Sequence, residues 1–366
     1  MSKVCVNNVE KYDVKEIEHS IIDGLRKIGF VIPSGKKILI KPNLLTDASP
    51  SKAATTHPAV VEAIVRVFKG NKMVIGDSPG GIAHEHLFEN TGMKNISEKY
   101  NISVKLLTEN VVNKGFMISK EALEADLVIN VPKMKTHSLA LFTGAVKNLF
   151  GCVSGLGQRM KLHRENTDIR KFYGKLFDIH EIIKPKLNIM DAIIGMEGNG
   201  PGDGTPKKTG YLLLSKDAVA LDLIAMDISG LMSKEFVHET KKRKLFSEPE
   251  VIGSYNKVNY VKPKNISYVI NLPIIKEIVK YSLGKPVVLV DTKKCIKCFR
   301  CKAICPVSAI TIVNGYPSID KKKCIRCFCC HEVCPASAIW IKNPFIFRFV
   351  SNLKKLLFKR KLLFKR

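Results

Sequence analysis

Two cysteine runs near the C-terminal end constrain this chain more than anything else in it. They read Cys295-Ile-Lys-Cys298-Phe-Arg-Cys301-Lys-Ala-Ile-Cys305-Pro306 and Cys324-Ile-Arg-Cys327-Phe-Cys-Cys330-His-Glu-Val-Cys334-Pro335, and both follow the spacing C-x2-C-x2-C-x3-C-P. Three cysteines on one tight loop can grip three irons of a cubane, while the fourth, on the short helix that follows, reaches the other cube. The spacing therefore assigns Cys295, Cys298, Cys301 and Cys334 to one [4Fe–4S] cluster, and Cys324, Cys327, Cys330 and Cys305 to a second. Zinc also uses C-x2-C pairs, but it wants four ligands with one longer gap. Eight cysteines in two copies of one pattern, each closed by proline, argue for iron.

The 366 residues suffice for two or more domains, with ample length for a core. Eight of the eleven cysteines sit in the two runs, leaving Cys5, Cys152 and Cys329 with no disulfide pattern. Thiolate ligation and free thiols point to a reducing compartment, so the expected location is the cytoplasm. The N-terminal stretch carries charges and no apolar core of signal-peptide length. No run approaches the roughly 18 apolar residues of a membrane span. The formal net charge of +27 is uneven: from Lys285 onward, nineteen Lys and Arg face only Asp291, Asp320 and Glu332. Such an excess implies an acidic partner: nucleic acid, an anionic membrane or an acidic redox protein.

Upstream, residues 36–41 read as a buried strand ending in Lys41-Pro42-Asn43, and Thr56-His57-Pro58 opens a helix. A strand at 73–76 closes in Asp77-Ser78, and a helix around 84–91 and a strand near 102–107 follow. The strand 126–131 ends in a segment with Lys133, Lys135 and His137; Lys147 and Asn148 come next, then a polar helix through 165–183. A strand at 187–194 ends in a glycine-rich stretch, 195–204, holding Glu197 and Asn199 and read as a tightly turned or mobile loop, a candidate lid. A last strand at 210–214 runs into a helix. Strands alternating with helices, in apolar runs without alternation, predict an α/β fold with a doubly wound, mostly parallel sheet. A small α+β two-cluster domain follows it. The expected boundaries are an α/β domain over 1–270, a linker over 271–290, the cluster domain over 291–341 and a basic tail over 342–366. Ligands of such sheets bind beyond the carboxyl ends of the strands, so these loops should converge there.

With loops and clusters side by side, the chain resembles the domain of unknown function 362 family fused to a two-cluster ferredoxin module. The matching residues are Lys41-Pro42-Asn43, Thr56-His57-Pro58, Gly76-Asp77-Ser78-Pro79, the run from Asn130 to His137, Gly144-Ala-Val-Lys147-Asn148 and Gly198-Asn199-Gly200-Pro201. The resemblance implies an iron–sulfur protein, and the family brings no settled reaction.

Lys41, Lys133, Lys135 and Lys147 come from three segments of that edge, and lysine suits a carboxylate or phosphate. Together with Asn43, Asp77, Ser78, Asn148, Glu197 and Asn199 they form the candidate site for an anionic small molecule. The plain alternative is solvated surface lysine. His57, His137, Lys133 and Lys135 are the candidate catalytic groups, the histidines as acid or base near neutral pH. Asp77, Asp191 and Glu197 could bind a divalent ion, although Asp77 could equally cap a helix. Cys152 is a candidate nucleophile with no evident partner.

Residues 345–366 carry eight basic residues and no acid, and their apolar residues gather on one helical arc. A helix of this kind reads as an anchor on an anionic leaflet; the lack of a nucleic-acid fold argues against nucleic acid. The leading expectation is a redox enzyme, cytoplasmic or on the inner face of the membrane, with a redox partner protein. Two readings stay open beside it: a non-catalytic electron carrier or docking subunit, and an α/β domain with non-redox chemistry and structural or sensory clusters.

Overall fold

The structure, a computed structural model, describes residues 1–79, 86–154, 156–165, 169–263 and 287–342. The strands of the large domain are β1 (Lys3–Asn8), β2 (Lys37–Pro42), β3 (Lys72–Asp77), β4 (Ser103–Leu106), β5 (Asn110–Asn113), β6 (Phe116–Ser119), β7 (Leu127–Val131), β8 (Lys133–His137), β9 (Leu141–Thr143), β10 (Leu187–Asn199), β11 (Asp203–Ser215) and β12 (Glu250–Ile252). Ten of them make one sheet in the order β12-β1-β11-β10-β7-β2-β3-β4, with β8 branching from β10 and β9 from β8. The run from β10 through β7, β2 and β3 to β4 is parallel.

Helices cover both faces, and the alternation along each strand decides which residue meets which layer. Ile38 and Ile40 face the layer of helices Val14–Lys27 and Pro58–Val67, while Leu39 faces the opposite one. Val4 and Val6 pack against helices Ile169–Ile183 and Ala218–Ser229, and Cys5 points the other way. The first of these helices starts where the Asp13 side chain accepts from Glu16 N–H. Its buried stripe of Ile17, Ile21 and Leu25 has i, i+4 spacing. Helix Ala218–Ser229 is apolar almost all round, as a helix enclosed by sheet and neighbours should be.

Two expectations are corrected. Residues 133–137 are not a loop but the strand β8, paired with β10 and β9. Residues 195–204 are not a lid: 195–199 and 203–204 are paired strands at the tip of the β10–β11 hairpin. That tip is held to the body by Ser138 N–H donating to Gly200 O at 2.9 Å and Gly198 N–H donating to Val261 O at 2.7 Å. Gly200 answers close packing, since a Cβ there would lie 2.2 Å from Thr136 O, and Gly198 answers a left-handed turn at φ 78°. The helix expected over 165–183 is described as Ile169–Ile183, and a further helix, Leu156–Glu165, comes before it. Near 84–91 the described helix is Leu87–Asn90, followed by Met93–Tyr100.

The small domain holds β13 (Val287–Val290), β14 (Ile310–Val313), β15 (Tyr316–Ile319) and β16 (Ile339–Lys342), in two antiparallel pairs, β13 with β16 and β14 with β15. Val287–Val290, assigned above to the linker, is thus part of this domain. The rest of that linker from 271, and the tail from 343, lie outside the described residues. No helix among the described residues is long and apolar enough to cross a membrane.

Gly200→Ala should lower stability by about 1–3 kcal/mol, the usual cost of overpacking. Gly174→Ala, inside a helix with its nearest neighbour 3.7 Å from the new Cβ, should raise it by up to about 1 kcal/mol. Urea unfolding midpoints measure both.

Candidate functional site

The two cysteine loops repeat one backbone. Lys297 and Phe299 in the first, and Arg326 and Phe328 in the second, adopt left-handed conformations at φ 57°, 55°, 60° and 62°. These curl each loop back on itself. The short helices Arg300–Ala303 and Cys329–Glu332 follow. Cys305 Sγ accepts from Ala309 N–H and Cys334 Sγ from Ala338 N–H, each at 3.2 Å. Cys305, Cys324, Cys327 and Cys330 line one cavity with Val288, Ile310, Ile319 and Phe328. Cys301 lies near Cys298, Cys334 and Cys295. The second quartet thus shares one cavity, and an apolar pocket lined by four cysteines suits an iron–sulfur cube.

At the strand ends of the large domain Lys41, Lys133 and Lys135 are not solvated but buried and hydrogen-bonded, while Lys147 is half-buried. Lys41 Nζ lies 2.8 Å from Asp77 Oδ1 and donates to Asn148 Oδ1 at 3.0 Å and to Pro42 O at 2.9 Å. Asp77 also accepts from Ser78 N–H at 2.8 Å and Leu44 N–H at 2.6 Å. Asn148 accepts from Asn43 Nδ2 at 3.0 Å and donates to Asn130 Oδ1 at 2.8 Å. Asn130 in turn bridges to Asn188 at 2.9 Å. A Cβ on Gly151 would sit 2.1 Å from Asp77 Oδ1 and 2.6 Å from Lys41 Nζ; the ion pair needs glycine there. Arg159 closes this side by donating to Ser78 O at 2.6 Å. Both oxygens of Asp77 are thus engaged, by Lys41, Ser78 N–H and Leu44 N–H.

A second knot surrounds Asp191. Lys133 Nζ lies 2.8 Å from Asp191 Oδ2 and 2.8 Å from Tyr12 Oη, and Tyr12 donates to Asp191 Oδ1 at 2.9 Å. His57 stacks on Tyr12 with ring centroids 3.6 Å apart, and its Nδ1 accepts from Ala59 N–H, capping helix Pro58–Val67. Burial pushes the His57 imidazole down to about 4, against the opposing pull of Asp191. Burial also lowers Lys133, with Asp191 opposing.

Between these knots the cluster domain reaches in. Lys135 Nζ donates to Asn43 Oδ1 at 2.8 Å and to Ala54 O at 2.5 Å. Its pKa is held well below the ordinary lysine value by burial first, then by Lys147 and Lys133, against Glu332. His137 Nδ1 accepts from Leu139 and Ala140 N–H at 3.0 and 3.1 Å, which puts its proton on Nε2. That Nε2 lies 3.3 Å from Glu332 Oε1, on the helix between Cys330 and Cys334. Burial lowers Lys147, with Glu332 and Cys329 opposing, and burial raises Glu332. Further contacts join the two domains: Arg300 meets Asp47 with both nitrogens, at 3.1 and 3.2 Å, and Ser337 donates to Asp203.

Lys41, Asn43, Asp77, Ser78, Lys133, Lys135, His137, Lys147 and Asn148 thus gather at one edge, and His57 adjoins it through Asp191. Glu197 instead accepts from Val261 N–H at 2.8 Å beside Lys207, and Asn199 pairs with Asp203 in the hairpin. Cys152 is a core residue whose thiol burial pushes up to about 12, which does not suit a nucleophile. Tyr12, Arg159 and Glu332 belong to the site and were not anticipated. Tyr12 precedes the first recognised strand, and Glu332 is masked by the cysteine motif around it.

The family model described as domain of unknown function (DUF362) matches residues 38–227, and the one described as 4Fe-4S dicluster domain matches 287–335. Thylakoid-associated protein sll1697 of Synechocystis sp. is 35% identical over 217 residues, covering 57% of this chain and 68% of its own. The lactate racemase apoprotein of Thermoanaerobacterium thermosaccharolyticum superposes with TM-score 0.40 at 12% identity, over 64% of this chain and 58%, less than two thirds, of its own.

Cys305→Ser should remove the cluster of the second loop while sparing the first, halving bound iron by colorimetric assay. His57 should stay neutral in imidazole NMR down to about pH 4. Because its folded pKa lies below the unfolded value of about 6.5, its contribution to stability is complete above that pH and falls away towards pH 4.

Proposed function

Because the chain belongs to the domain of unknown function 362 family and carries a 4Fe-4S dicluster domain, we propose that it is an iron–sulfur electron-transfer protein whose clusters relay electrons to or from an anionic small molecule at the strand-end site. One observation carries this reading: Glu332, set between two cluster cysteines, meets His137 at 3.3 Å within that site. A separate carrier would have no reason to insert its ligand helix among the buried lysines of another domain.

When bound, the clusters supply one-electron transfer. The chain's own residues provide the rest. Lys41 and Lys133 are already neutralised by Asp77 and Asp191, so their role is to hold the strand ends in place. Lys135 and Lys147 are both near Glu332, and Asp77 also acts on Lys135. Lys147, the less buried of the two, is the proposed contact for a small carboxylate or phosphate. His137, with its proton on Nε2 towards Glu332, is the group placed to hold or pass a proton at the site.

The saturation of Lys41, Lys133, Asp77 and Asp191 favours a second reading, in which the α/β domain is a rigid dock for a partner enzyme and binds no substrate of its own. The basic tail over 345–366 adds association with an anionic membrane surface, in keeping with a relative named for its thylakoid association.

Cluster-loaded protein, reduced anaerobically and titrated with small carboxylates and phosphates, should lose its reduced-cluster EPR signal with at least one of them. Lys147→Met should slow that reoxidation about tenfold or more at unchanged iron content. Reduced clusters that persist in every titration would leave the dock as the surviving reading.

A further inference from the structure

The two halves of the cluster domain share a backbone and a ligand pattern, yet their exposure differs. Phe299 is 37% exposed, whereas Phe328, its counterpart 29 residues on, is 5% exposed. Ile296 is 65% exposed, while Ile325 is half-buried. Cys298 is exposed, and Cys327 is partly covered. The second half places Glu332 at His137 of the α/β domain. The first half touches that domain through Arg300 and Asp47 but leaves Ile296, Cys298 and Phe299 at the edge of its cluster site exposed.

That exposed edge has a definite character. Cys298, Ile296 and Phe299 form a small apolar centre around a cluster ligand, and Lys293, Lys294, Lys297 and Lys302 flank it, all exposed. Lys297 is held in place over the Tyr316 ring, 4.6 Å from its centroid. The nearby carboxylates are engaged: Asp291 accepts from Lys293 N–H at 3.0 Å, Asp47 pairs with Arg300 at 3.1 and 3.2 Å, and Asp203 accepts from Ser337. An apolar centre with a charged rim is the anatomy of a transient protein contact, and one-electron partners need only a small contact.

We infer that the first cluster loop is the docking face for an acidic one-electron carrier protein, and that electrons are exchanged there through the cluster of Cys295, Cys298, Cys301 and Cys334. The occupant follows from charge. A second copy of this chain carries +27, and its own tail is wholly basic, so both are repelled, while an acidic carrier is steered in. The carrier gives up one electron and the first cluster takes one, with no bond made or broken. This inference rests on the proposed electron-transfer function but not on the strand-end ligand.

The test uses full-length, cluster-loaded protein and an acidic flavodoxin as probe. Three proteins are compared: wild type, the triple variant Lys293→Glu/Lys294→Glu/Lys297→Glu, and the matching variant of the second loop, Lys321→Glu/Lys322→Glu/Lys323→Glu. Calorimetric affinity and the stopped-flow rate of reduction by flavodoxin hydroquinone are read at low and high salt. The first variant should lose about tenfold or more in both, and the second less than threefold. Reduction by dithionite should be unchanged in all three. Wild-type binding should weaken with salt. If the first variant fails to load iron, Lys293→Gln/Lys302→Gln serves instead, with a loss of about threefold expected.

Equal losses in both triple variants, or none in either, would overturn the inference. So would an absence of flavodoxin binding, and so would first-loop charge reversal that weakens binding to anionic phospholipid vesicles but not to flavodoxin. Failure here leaves ligand-driven reoxidation of dithionite-reduced clusters intact, so the two proposals fall separately.

Discussion

The buried ion pair between Lys41 and Asp77 is the contact on which the strand-end site depends. An ammonium and a carboxylate removed from water persist only when each is paired and hydrogen-bonded. Here Asn148, Pro42 O, Ser78 N–H and Leu44 N–H complete the shells. Removing one partner of such a pair costs about 3–5 kcal/mol, because the other is left charged and alone. The pair ties β2 to β3, and through Asn148 and Asn130 it reaches β7 and β10. Lys133 and Asp191 repeat the device between β8 and β10. These charges are structural first, and they fix where the remaining two ammonium groups can stand.

Those two, Lys135 and Lys147, lie where the domains meet. Glu332 approaches them from the cluster domain and opposes the burial that lowers both. Arg300 with Asp47 and Ser337 with Asp203 fasten the same junction at its rim. An internal duplication with two equivalent loops is made unequal by this docking, one loop turned inward and the other left open. Burial, not sequence, separates their roles, since the flanking lysines recur in both copies.

Much of this was legible beforehand, for local reasons. The cysteine quartets follow from spacing, because a short loop has few ways to present three thiols to one cube. The strands over 37–42, 72–77 and 127–131 are apolar runs between turn residues, and the helix opened by Thr56-His57-Pro58 starts there, with His57 as its cap. Residues 133–137 looked like a loop because lysine and histidine seldom line a buried strand; partners from β2, β10 and the cluster domain make it possible. The glycines over 195–204 looked mobile because sequence cannot tell a glycine that bends from one that avoids a collision, as Gly200 does with Thr136.

The sequence by itself determined the periodic and motif-borne features: an α/β sheet, two cubane ligand sets, a basic C-terminal third and the set of strand ends that converge. These depend on spacing of a few residues along the chain. Only the tertiary structure decided which lysines are spent on ion pairs and which remain. It alone brought Tyr12, Arg159 and Glu332 to the site and turned one cluster loop outward. The reason is electrostatic: a charge's role is set by its partners and its access to water, and here those partners lie far along the chain, from 36 residues for Lys41 and Asp77 to 253 for Asp47 and Arg300.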